Sequence, residues 1–110
     1  MNAPRMWPVR PRASAEIFSR ALSGHGVAAD VHDGYGLALV SVWVGLVVWC
    51  DGYRYWWRTG WNAERRRVIY AWHPANEPDR AARRVLLRYN ELREQGLSDA
   101  LAELVRDVQP

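Results

Sequence analysis

"LVVWCDGYRYWWR", Leu46 to Arg58, decides how this chain folds. An apolar run enters, Asp51-Gly52 interrupts it, and an aromatic run of alternating character leaves. Asp-Gly between two such runs is a strong hairpin signal, because a two-residue type I′ turn needs positive φ at both central positions. Such a turn sets Cys50 opposite Tyr53, Trp49 opposite Arg54, Val48 opposite Tyr55, Val47 opposite Trp56 and Leu46 opposite Trp57. Side chains alternate between the faces of a strand. Leu46, Val48, Cys50, Tyr53, Tyr55 and Trp57 therefore share one face, and Val47, Trp49, Arg54, Trp56 and Arg58 share the other. The first set is the expected core, and the second is the candidate binding surface.

Working outward, Gly34 to Cys50 has no charge and matches a short membrane span in length. It is rich in β-branched valine, is broken by Gly45 and runs into the hairpin, so it reads as two strands, Leu37 to Val44 and Leu46 to Cys50, and no membrane span is expected. Val27 to His32 reads as a first strand, closed by the turn "DGYG". Beyond the hairpin, "TGWNAE" reads as a loop. Arg66 to His73 resumes strand character, and Pro74 stops it.

Helices flank this meander. Ser14 is placed to cap a first helix with Ile17, Phe18, Ala21 and Leu22 on its apolar face, ended by Gly24 and Gly26. Pro78 suits the first turn of a long helix in which Ala82, Val85, Leu86, Tyr89 and Leu92 recur at helical spacing. Gly96 should end it, and Ser98 should cap a short last helix with Leu101, Leu104, Val105 and Val108 inward. The expectation is an α+β domain over residues 14–110: an N-terminal helix, an antiparallel meander of four to five strands, and one long and one short C-terminal helix. Residues 1–13, rich in proline and arginine, should form a flexible arm.

Composition narrows the chemistry. The chain has 110 residues, seven Trp and five Tyr against one Phe, a formal net charge of +3, and arginine as its only Lys/Arg-type cation. Planar guanidinium groups stack and pair bidentately, although the modest net charge does not by itself require a nucleic-acid partner. The single cysteine, Cys50, excludes an internal disulfide and fits a reducing, cytoplasmic location; the N-terminal segment lacks a signal-peptide apolar core.

Recognisable catalytic patterns are missing from the sequence. Asp51 beside Cys50 disfavours the thiolate that a nucleophile needs. His25, His32 and His73 show no metal-ligand spacing, "GHG" and "GYG" lack the spacing of phosphate loops, and the acids fall in turns and on helix exteriors. No catalytic residue, metal or cofactor is expected.

"VHDGYGLALVSVW" and "LVVWCDGYRYWWRTGW" resemble segments of small uncharacterised actinobacterial proteins, a resemblance spanning roughly residues 27–93 that implies no activity. The helix, meander, helix order is similar to that of small secretion-chaperone-like and adaptor domains. The leading expectation is a nonenzymatic protein-binding or adaptor domain, a homodimer or the holder of a protein partner, acting through Trp49, Arg54, Trp56 and Arg58. Arg65, Arg66 and Arg67 form a second basic cluster. The alternative is a single-stranded nucleic-acid binder that stacks bases on the same face. A small enzyme without a recognisable motif is the least favoured reading.

Overall fold

The computed structural model describes residues 10–34 and 36–108, with side chains to residue 106. Most of the expected arm, residues 1–9, lies outside the described residues. The elements run α1 (Pro11–Ser23), β1 (Asp30–Gly34), β2 (Leu37–Trp43), β3 (Leu46–Cys50), β4 (Arg54–Asn62), β5 (Arg67–Pro74) and α2 (Pro78–Val108). The five strands form one antiparallel sheet in the order β1-β2-β3-β4-β5, the simplest meander. Both helices pack on one face of it, so the architecture is α+β.

α1 begins earlier than its sequence pattern suggests. Pro11 starts it, where a missing N–H costs no intrahelical bond, and Arg10 at the N-cap makes no side-chain cap. Ser14 is therefore not a cap. It lies one turn inside the helix, 2% exposed, and its Oγ–H donates to Tyr55 Oη at 3.1 Å while the Tyr55 hydroxyl donates to the Ser14 carbonyl at 2.9 Å. A buried phenol and a buried serine thus satisfy each other across the α1–sheet interface. Ala15, Phe18 and Leu22 carry the buried face, whereas Ile17 is exposed.

The central hairpin keeps the expected faces but not the expected register. Cys50 pairs with Tyr55, Trp49 with Trp56 and Val48 with Trp57, two residues further along β4 than a type I′ turn would give. Asp51 explains the difference: its Oδ1 accepts from the Tyr53 and Arg54 N–H groups, 2.9 Å each, and Gly52 takes φ +93°. That Asx-type loop is longer than a two-residue turn. Tyr53, expected in the core, lies in the loop and is exposed.

Leu46, Val48, Cys50, Tyr55 and Trp57 join Ala38, Val40 and Val42 of β2 under the helices. β4 does not end at Arg58. It continues to Asn62, its register with β5 stepping by one residue at Thr59, so "TGW" belongs to a strand. β1 starts at Asp30, after rather than at Val27.

α2 is one helix of 31 residues. Gly96 does not end it, and Ser98 caps nothing: the Gln95 side chain donates to Asp99 Oδ1 at 3.0 Å, an i,i+4 bond bridging the glycine. Ala81, Ala82 and Val85 are buried against α1 and the sheet, with Leu86, Tyr89 and Leu92 partly so. Leu101, Leu104 and Val105, expected inward, are exposed, and the Val108 side chain lies outside the described residues. Among the described residues no helix is long and apolar enough to cross a membrane.

Candidate functional site

Among the described residues both helices lie on one side of the sheet, and no element covers the opposite side. Its composition follows from the register: His32 pairs with Leu39, Leu39 with Trp49, Trp49 with Trp56 and Trp56 with Trp72, a row across all five strands. Beside it, Arg58 pairs with Tyr70. Trp49 and Trp56, expected on this face, are there and half-buried; Arg54 and Arg58 are exposed.

β5 adds what the hairpin reading omitted. Tyr70 and Trp72 are 56% and 55% exposed, and with Asp51, Arg54 and Trp56 they line a depression at the β4–β5 side of the face. Alternation along β5 puts Tyr70 and Trp72 on one face, and the pairing of β5 with β4 makes it the open one. Arg54 was expected against Trp49. Its guanidinium instead lies over the Trp72 ring, 5.4 Å from the centroid, a cation-π contact within the depression.

The second arginine cluster is not part of this site. Arg65 and Arg66 lie in the β4–β5 connection, where Arg66 has φ +53° and the Arg65 N–H donates to Asn62 Oδ1 at 3.0 Å. Arg67 opens β5 opposite Asn62, whereas Arg54 pairs with Pro74 at the other end of the hairpin. Eight residue steps of strand separate the two ends, about 26 Å.

Cys50 and His73, two of the groups that could carry chemistry, are held structurally. Burial, reinforced by the charge of Asp51, pushes the Cys50 thiol up to about 12, leaving it protonated and inert near neutrality. His73 Nε2 meets Glu77 Oε1 at 2.8 Å, and its Nδ1 lies 3.1 Å from Arg84 Nη1, which also donates to the Trp72 carbonyl at 2.7 Å. These contacts tie the end of β5 to α2. Among the described residues no group of three or more His, Cys, Asp or Glu could hold a metal ion.

The open face can therefore stack, bury apolar surface and pair with anions. Three large aromatic rings and one stacked guanidinium bound its depression, the residue types that dominate protein hot spots. No family model matches the chain, and comparison with curated proteins and with solved structures likewise finds no match.

Proposed function

We propose that this is a nonenzymatic protein-binding domain, adaptor-like, chaperone-like or regulatory, that engages a protein partner through the open sheet face, self-associates, and works in the cytoplasm. One observation carries the reading: the Leu39–Trp49–Trp56–Trp72 row and the adjacent Tyr70 lie on the face opposite both helices. A sheet face of this composition ordinarily packs against another layer. Trp56, Tyr70 and Trp72 would form the apolar centre of the contact, and Arg54 and Arg58 its polar rim.

The test is capture of proteins from the source cells on immobilised full-length protein, comparing the wild type with Trp56→Ala/Trp72→Ala. A specific partner retained by the wild type and lost by the double variant is the expected result. Equal capture by both would remove the sheet face from the function. The nucleic-acid reading draws on the same rings and on the Arg54–Trp72 stack, while the Arg65–Arg67 cluster lies further along the hairpin and does not line the depression.

A further inference from the structure

β5 closes the sheet on one side, so half of its backbone groups face no neighbouring strand. Which half follows from its bonds to β4. The Ala75 N–H donates to the Tyr53 carbonyl at 2.9 Å, and the Ile69 carbonyl accepts from Thr59 Oγ1 at 3.3 Å, so the odd-numbered residues turn towards β4. Val68, Tyr70 and Trp72 turn their N–H and C=O groups outward. Two carbonyls near the end of this edge are capped: Pro74 accepts from the Glu77 N–H at 3.2 Å, and Trp72 from Arg84 Nη1 at 2.7 Å. Among the described residues no strand meets the outward N–H groups or the carbonyls of Val68 and Tyr70.

The two edges of the sheet differ in what keeps other strands away. β1 is five residues long and carries Asp30 and Asp33. β5 has eight residues, with no charge or proline between Arg67 and His73, and the extra residue at its register step belongs to β4. An edge of this kind is a template for an added strand.

Charge selects the strand. Residues 51–84 hold eight arginines and four acids, whereas the rest of the chain holds seven and eight. Among the described residues only one of those eight arginines, Arg80, forms an ion pair. Two others bracket the edge on its helix side. Arg67 shares that side with Ile69 and Ala71 by alternation, and Arg84 reaches it from α2, its guanidinium 5.2 Å from the Trp57 ring centroid. On the open side the edge presents Tyr70 and Trp72. A second β5, paired antiparallel and centred on Tyr70, would set Arg67 of each copy near Arg84 of the other, like charges together. A nucleic-acid backbone carries phosphates but no N–H groups to alternate with them.

We infer that β5 takes an extended acidic peptide of a partner protein as a sixth strand. Apolar residues of the peptide lie beside Tyr70 and Trp72, and two carboxylates four residues apart, on its other face, meet Arg67 and Arg84. In strand addition the main chain supplies affinity and alternate side chains supply specificity. This mode rests on the protein-binding reading above and gives its partner a chemistry.

The probe is a labelled nine-residue peptide with valine and tyrosine at alternate positions and glutamates at the third and seventh, titrated into the full-length protein beside its lysine counterpart. The glutamate peptide should bind at least about tenfold tighter than the lysine peptide by anisotropy, and Val68→Pro should weaken it at least about tenfold. Proline at an outward edge position removes an N–H without touching the bonds to β4. Hydrogen exchange by NMR gives a second readout on the wild type: the Val68 and Tyr70 amides should exchange freely in the protein alone and become protected with the peptide. Absence of binding, equal binding of the two peptides, or binding without this protection would overturn the inference. So would protection by oligothymidylate, or protection without peptide in a protein that light scattering shows to be dimeric, which would assign the edge to a second copy. Partner capture lost in Trp56→Ala/Trp72→Ala with no peptide binding would remove the edge and leave the sheet face standing. Capture lost in Val68→Pro but kept in the tryptophan variant would do the reverse.

Discussion

Tyr55 fixes α1 to the sheet through a group that a hydrophobic core would ordinarily reject. Its ring stacks at a tilt on Phe18, 4.8 Å between centroids, and its hydroxyl both accepts from and donates to Ser14. Tyr55→Phe keeps the ring but leaves the buried Ser14 hydroxyl without its partner and removes the second bond to the Ser14 carbonyl, so the expected loss is about 1 kcal/mol in a urea melt. Burial also pushes the Tyr55 phenol up to about 12, with Cys50 adding to the rise and the Ser14 bond opposing it. Both Cys50 and Tyr55 are acids whose folded pKa exceeds the unfolded value. Their contribution is fully present below about pH 9 and is lost as pH climbs towards 12, because the unfolded chain deprotonates first. Unfolding midpoints measured from pH 8 to 11 should fall, and Cys50→Ala should flatten the fall. A constant midpoint would contradict the burial of both groups.

Among the elements, the β3–β4 hairpin shows which features a sequence specifies twice and which only once. Its faces are set by alternation, and a register two residues off preserves every face because the side-chain period is two. The open-face set of Trp49, Arg54, Trp56 and Arg58 was legible for that reason, even though the cross-strand partners were not. The partners depended on Asp51, whose carboxylate closes a longer loop than Asp-Gly alone implies. Tyr70 and Trp72 were missed as site residues because alternation groups residues within a strand but does not say which group faces the core. Asp51→Ala should cost about 1 kcal/mol by removing both backbone contacts, without altering which rings are exposed. α2 is the converse case: Gly96 looks like a helix end, but local i,i+4 bonding carries the helix through it. A Cβ at position 96 meets nothing within 4 Å, so Gly96→Ala should raise helicity by circular dichroism and stabilise α2 by up to about 1 kcal/mol.

At the scale of the whole molecule, charge and aromatic surface are distributed separately. The protein extends 74 Å along its longest axis and 35 and 24 Å along the others, with the Arg65–Arg67 cluster at one end of the β4–β5 hairpin and the Trp56–Trp72 depression towards the other. A polyanion attracted by net charge alone would settle on the exposed cluster, where phosphate contacts release counterions and binding falls steeply with salt. A single strand held by stacking would instead need Trp56 and Trp72, each base–ring contact contributing about 1 to 3 kcal/mol. The protein-binding reading makes a definite choice between these. A labelled single-stranded oligonucleotide should show weak anisotropy gains at low salt that vanish near 150 mM, that fall with Arg65→Ser/Arg66→Ser/Arg67→Ser, and that are unmoved by Trp56→Ala/Trp72→Ala. If the tryptophan variant abolished binding while the arginine variant kept it, the open face would be a base-stacking platform, and the protein partner proposed for it would have to be given up.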